Sequence, residues 1–252
     1  MTNRPSTLRL IPLHGLPEIR PGSDLAALIR AAAGAAGETL ANRIVVVCQK
    51  IVSKAEGRLV DLADVEPSAL AREIGAEHGR DPRQVEVVLR ESRRIVRRGR
   101  GVLITETHHG FVCANSGVDL SNAPGPDVAV LLPADPDASA RALSQALGTP
   151  GAPTPVVISD TFGRPWREGL VDVALGSAGL APIRDDRGTL DRAGRELQVT
   201  QPATADQLAA AAGLLMWKSA GVPVVLVDGF PFEGDGSVRE SLLRDSATDL
   251  FR

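Results

Sequence analysis

A chain of 252 residues, 43% hydrophobic and 23% charged, is long enough for one large domain or two small intertwined ones and needs no disulfide staples. Its net charge of −3 argues against a generic nucleic-acid coat, and no run reaches the about 18 apolar residues of a membrane span. With no Tyr and only 3% aromatic residues, the core has to be built from Leu, Val, Ile and Ala.

The first ten residues carry no apolar leader, so a cytoplasmic protein is the expectation. "LRLIPLHGLPEI" reads as a short strand broken by Pro12, and "PGSDLAALIRAAAGAA" as a helix capped by Ser23 or Asp24. Ile44 to Val47 are four consecutive β-branched residues, the signature of a strand buried on both faces, and Gln49 to Gly57 read as its polar exit. Cys48 and Cys113 form no disulfide framework and read as small buried hydrophobes. Two helices follow, one closed by Gly79 and one opened by Asp81 and Pro82.

Arg90, Arg93, Arg94, Arg97 and Arg98 continue the second helix at i, i+3, i+4, i+7 and i+8, which predicts one basic helical face. "VLIT" and "FVC" predict a hairpin, "VAVLLP" a buried strand and "DPDASARALSQAL" a helix. "TPVVISD" reads as a strand, "TADQLAAAAGLLMWKSAG" as a long helix, "VPVVLVDG" as a strand and "DGSVRESLLR" as a last helix. Alternating strands and helices with no repeat predict a mixed α/β (α+β) architecture.

Nucleotide signatures of the usual kinds are missing, since the chain has neither a Gly-Lys pair nor a strand followed by G-x-G-x-x-G. The Asp-Thr-Phe-Gly at 160–163 lacks the catalytic loop of a kinase. His14, His108 and His109 have no zinc spacing and read as turn residues. Asp160 follows Val156-Val157-Ile158, and the carboxyl edge of a strand is where α/β sheets bind ligands.

Asp119, in the loop "NSGVDLSN", and the Thr161 hydroxyl complete a set of hard oxygen ligands suited to Mg²⁺ or Mn²⁺, although either Asp could equally cap a turn. Lys54, near Gln49, Lys50 and Ser53, is either a point charge for a phosphate or a surface lysine. Arg164 and Arg167 flank Pro165-Trp166 in a stretch that can gather carboxylate or phosphate, or lay Trp166 over the edge of the core.

Read together, "GLPEIRPGSDL", "QKIVSKAEGR", "ESRRIVRRGRGVLITETHHGFVCANSGVDLSN", "ISDTFGRPWREG", "GRELQVTQ" and the final "DLFR" resemble the coenzyme F-420-0:L-glutamate ligase family in order and over nearly the whole chain. The resemblance implies a stand-alone ligase unit over 1–252, without the flavin-type C-terminal domain of some members. Its fold would be the mixed α/β one of two intertwined parts, in a homodimer. It implies GTP as co-substrate, a Mg²⁺ or Mn²⁺ ion with a monovalent cation beside it, and the deazaflavin precursor F-420-0 and L-glutamate as partners, with no nucleic acid and no membrane.

Carried over residue by residue, Leu16, Pro17, Glu18, Ile19, Gln49, Lys54 and Asn122 match nucleotide contacts, and Asp119, Asp160 and Thr161 match metal positions. Lys218, Ser219 and Gly221 match a further nucleotide segment. Lys54 and Arg164 are the catalytic candidates. The family carries Met-Gly and then a polar or acidic residue where this chain reads Met216-Trp217-Lys218. A non-catalytic nucleotide-binding homologue and a GTP-dependent phosphotransferase acting on another acid stand as competing readings.

Overall fold

Four β-branched residues in a row can be buried only if both faces of their strand are covered. Ile44 to Val47 are covered in this way in the computed structural model, which describes residues 7–99, 101–149, 152 and 154–249. In chain order the strands are β1 (Arg9–Leu13), β2 (Ile44–Cys48), β3 (Leu59–Asp61), β4 (Ser92–Gly99), β5 (Val102–Thr107), β6 (Val112–Ala114), β7 (Val128–Val130), β8 (Val156–Arg164), β9 (Arg167–Ala178) and β10 (Val224–Asp228). The helices are α1 (Leu25–Ala35), α2 (Gln49–Ala55), α3 (Ala69–His78), α4 (Pro82–Arg90), α5 (Pro136–Leu147), α6 (Thr204–Gly213) and α7 (Val238–Ser241).

The largest sheet has the order β1-β10-β2-β8-β9. Only β2 and β8 run parallel in it, with Val45 to Cys48 in register with Val156 to Ser159. Val45, Val47, Val156 and Ile158 face α1 and α5, whereas Ile44, Val46 and Val157 face α6. Alternate side chains thus feed two cores from one strand, as the two-residue period of a pleated sheet dictates.

Between β2 and β8 the chain builds a third core from α3, α4 and the small sheets β3-β7 and β4-β5-β6, centred on Leu62, Ile74, Val85 and Leu103. The mixed α/β class is therefore as expected. No helix among the described residues is long and apolar enough to cross a membrane. The closing Leu-Phe-Arg of "DLFR" lies outside the described residues.

Several local expectations are corrected. Pro12 does not break the first strand. It sits inside β1, opposite Val225, on the sheet's outer edge, where a missing N–H costs no ladder bond. Residues 49–55 are not an exit loop but helix α2, which buries Gln49, Ser53 and Lys54.

The arginine row is not one helical face. Helix α4 stops at Arg90, and Arg93, Arg94, Arg97 and Arg98 lie in the edge strand β4, where Ile95 pairs with Thr105 of β5 and Val96 falls in a bulge. Arg94 meets Glu106 at 2.7 Å and Arg98 meets Glu73 at 3.3 Å, so the row is a partly ion-paired edge that resists strand addition. Helix α6 ends at Gly213, short of the long helix expected through Gly221, and the last helix is a single turn.

Candidate active site

Asp160 lies where β8 outruns its parallel neighbour: β2 pairs only as far as Cys48↔Ser159, and beyond it β8 is paired with β9 alone. The space left there is a cavity of about 1020 Å³. Of the residues expected at the site, it is lined by Leu16, Pro17, Glu18, Ile19, Lys54, Asp119, Asn122, Asp160, Thr161, Lys218 and Gly221. Segments nearly two hundred residues apart in sequence therefore open on one space.

Helix α2 brings two lysines into that space, because Lys50 and Lys54 are four residues apart and share a face. The Lys54 side chain is only 7% exposed and its ammonium pairs with the carboxylate of Glu18, which is 63% exposed. Lys50 Nζ donates to Asp119 Oδ2 at 2.8 Å and to both Ser121 O and Ser121 Oγ at 3.0 Å. Lys218 Nζ approaches the same carboxylate oxygen at 3.2 Å, and Asn122 Nδ2 donates to the Lys218 carbonyl at 3.4 Å.

The two aspartates differ in electrostatic state. Burial disfavours charge on Asp119, but hydrogen bonds from Lys50 and Ser121 outweigh it and hold the carboxyl well below the usual range. Burial pushes the Asp160 carboxyl up to about 7, with Asp119 and Asp172 adding to the rise and the Thr161 N–H and Lys50 opposing it. A negative charge on Asp160 is thus under-compensated, and a hard cation would relieve it.

Among the described residues no three His, Cys, Asp or Glu side chains gather as a metal centre by themselves. The donor set that fits a divalent ion is instead two carboxylates and a hydroxyl, Asp119, Asp160 and Thr161, with room left for ligand oxygens.

Three expected site residues do not line the cavity. Gln49 is buried and its Oε1 accepts from Ser53 Oγ at 2.7 Å, which locks α2 internally. Ser219 is exposed in the turn after Lys218. Arg164 is exposed and donates to the Glu168 carbonyl at 3.2 Å, so a direct catalytic contact by Arg164 is not what this geometry supports. It stands at the tip of the β8–β9 hairpin, whose distal half supplies Asp160, Thr161, Phe162, Gly163 and Leu170 to the cavity wall.

Trp166 forms the hairpin turn with a φ of 60°, unusual for a bulky residue, and is 78% exposed, so it does not cover the core edge.

Sequence reasoning gave no site role to Lys50, Ser121, Asp172 and Trp217. Lys50 was within reach, since i, i+4 spacing from Lys54 shows once α2 is recognised as a helix. Asp172 had no local signal, because β9 was not anticipated and its partner Thr161 lies across the hairpin. Cys48 is on the cavity wall, but burial pushes its thiol up to about 11, and that of Cys113 to about 12, so neither is a ready nucleophile. His108 and His109 hold backbone carbonyls of Arg90, Pro133 and Ala134, in keeping with turn residues.

Fold and cavity together define a class: a mixed α/β protein with a large charged ligand site at the carboxyl end of its parallel strand pair. Residues 15–229 match the family described as F420-0:Gamma-glutamyl ligase. The chain is 46% identical to the coenzyme F420:L-glutamate ligase of Methanothermobacter thermautotrophicus, over 97% of this chain and 99% of that protein. It is 44% identical to the protein of the same name from Methanopyrus kandleri, over 98% of each chain. The Natronomonas pharaonis protein of that name is 42% identical over 97% of this chain and 95% of its own length. The chain belongs to the F420-0:gamma-glutamyl ligase family.

Proposed function

We propose that this chain is a ligase that joins L-glutamate to coenzyme F420-0 and extends the product by further γ-linked glutamate, cleaving GTP to GDP and phosphate. Family membership supports the reaction. One structural observation carries the chemistry: three lysines and two aspartates line a single cavity. Its volume of about 1020 Å³ exceeds what one small ligand fills.

A carboxylate is a poor electrophile, so the reaction runs in two displacements. An acceptor carboxylate oxygen attacks the γ-phosphorus of GTP and GDP leaves. The glutamate amine then attacks the acyl phosphate carbonyl, phosphate leaves, an amide forms and the amine proton passes to solvent. Lys54 is already charged and desolvated, and a phosphate oxygen can take the place of the Glu18 carboxylate, which is free to move into solvent. Lys50 keeps Asp119 ionised and aimed at the cavity. Asp119, Asp160 and Thr161 would hold Mg²⁺ or Mn²⁺, with a monovalent cation beside it. Such an ion supplies charge neutralisation to a transferring phosphoryl group.

Arg164 and Arg167, at the hairpin tip, gather the anionic acceptor rather than touch the reacting atoms. The working unit is a homodimer.

Mass spectrometry of the products tests this. Purified protein with F420-0, L-glutamate, GTP and Mn²⁺ or Mg²⁺ should give species heavier by whole glutamyl residues, and none when any one component is omitted. Unchanged acceptor would overturn the proposal.

One observation favours a second reading. Lys218 places its own ammonium on Asp119, where a cation would bind. A non-catalytic nucleotide-binding homologue would bind GTP in calorimetry and turn over no acceptor.

A further inference from the structure

Thr161 and Asp172 face one another across the β8–β9 ladder, in direct register, and Thr161 Oγ1 donates to Asp172 Oδ1 at 2.6 Å. A hydroxyl has a single proton and two lone pairs. Once that proton is committed to Asp172, Thr161 Oγ1 can act toward any third group only as an acceptor. Thr161 lines the cavity, whereas Asp172 stands behind it.

Asp172 is also held from its far side. A Cβ added at Gly213, the last residue of α6, would lie 2.6 Å from Asp172 Oδ2 and 2.8 Å from its Cγ. The carboxylate therefore sits between the Thr161 hydroxyl and a helix end that only glycine allows to come so close. Desolvation raises the Asp172 carboxyl above its ordinary value, the Thr161 hydroxyl opposes that rise, and the Asp172 charge reaches Asp160 as well.

A merely structural pair has little reason to be here. It lies past the point where β2 stops pairing, on the part of the hairpin that borders the cavity.

We propose that Asp172 is a positioning residue: by taking the Thr161 proton it fixes Oγ1 as a lone-pair donor toward the cavity, ready to ligate a hard cation. This rests on the divalent-ion reading of the site given above, and it adds a residue outside the cavity wall to the machinery. Asp172 acts through Thr161 and touches neither ion nor substrate.

Titration of the full-length protein with Mn²⁺ alone, following free Mn²⁺ by electron paramagnetic resonance, tests the proposal without turnover. Asp172→Ala should weaken the Mn²⁺ Kd by about 10- to 100-fold, the usual effect of removing an outer partner of a metal ligand. Asp172→Asn should recover most of the loss, because its amide oxygen still accepts the hydroxyl proton. In a Thr161→Val background Asp172→Ala should change nothing more, since the path through the hydroxyl is already cut.

A wild-type Kd in Asp172→Ala, whatever happens to its Tm, overturns the proposal. So does an Asn variant as weak as Ala, or a full further loss in the Thr161→Val background. A wild-type protein that binds no Mn²⁺, alone or with GDP, overturns the divalent-ion reading itself, which separates the two failures.

Discussion

At the scale of single residues, three lysines enter one cavity with unequal burial, and burial ranks what each can contribute. Lys54 is 7% exposed, Lys50 is 12% exposed and Lys218 is 65% exposed. A hydrogen bond from a desolvated ammonium to a charged partner is worth about 1.5–3 kcal/mol, whereas an exposed ion pair is worth about 0–1 kcal/mol. Lys54→Met should therefore lower kcat/KM for GTP by about 10- to 150-fold in steady-state assays. A change of under threefold would deny Lys54 its phosphate.

Lys218→Gln is predicted to tighten Mn²⁺ binding by a factor of about 5 or less, because it removes an exposed competitor for Asp119 Oδ2. Weaker Mn²⁺ binding in that variant would mean that Lys218 helps the ion instead of competing with it. The sequence made Asp119, Asp160, Thr161 and Lys54 visible as chemistry-bearing residues on loops and strand ends. It hid Lys50 and Asp172, whose significance depends on a helix and a cross-strand register that composition does not reveal.

At the scale of elements, Asp137 joins three of them. Its carboxylate is buried at the start of α5 and accepts from Ser177 N at 3.0 Å on β9, and from Val238 N at 2.8 Å and Arg239 N at 3.0 Å on α7. Each buried donor left without a partner costs about 1–3 kcal/mol. Asp137→Ala should thus lose several kcal/mol in urea unfolding, more than an ordinary cap removal at about 1 kcal/mol. A loss no larger than that of a cap would show that water replaces the carboxylate.

The elements that could be read in the sequence are those with a local signal: the β-branched run of β2, the N-caps Asp24 and Asp81, and the left-handed Gly79. The ones misread were decided by tertiary pairing. β4 carries a helical spacing of arginines but has β5 beside it. β9 hides behind glycines and charges until β8 supplies its ladder. α2 is too short to show a period yet is buried against the large sheet and its helices.

At the scale of the whole molecule, folding forces carboxylates into partly desolvated places. Asp206, on α6, accepts from Ala174 N at 2.9 Å, and burial raises its carboxyl above the ordinary 3.8. An acid raised in the folded state contributes stability that is complete below its unfolded pKa and is lost as pH rises through the folded value. Asp206→Asn keeps an acceptor for Ala174 and cannot ionise. The Tm of this variant relative to wild type should therefore climb as pH rises above the ordinary carboxylate range, as followed by circular dichroism. A flat difference would mean that Asp206 is as well solvated in the fold as outside it.

The mixed α/β class was legible from the alternation of elements, whereas the three-sheet arrangement was not, because it depends on which strands meet. The account stands on a cation shared between Asp119 and Asp160, and anomalous diffraction at the manganese edge, from crystals grown with Mn²⁺ and GDP, tests it most directly. It predicts a peak within about 2.0–2.6 Å of a carboxylate oxygen from both residues. A peak in contact with only one of them, or out of reach of both, would contradict it.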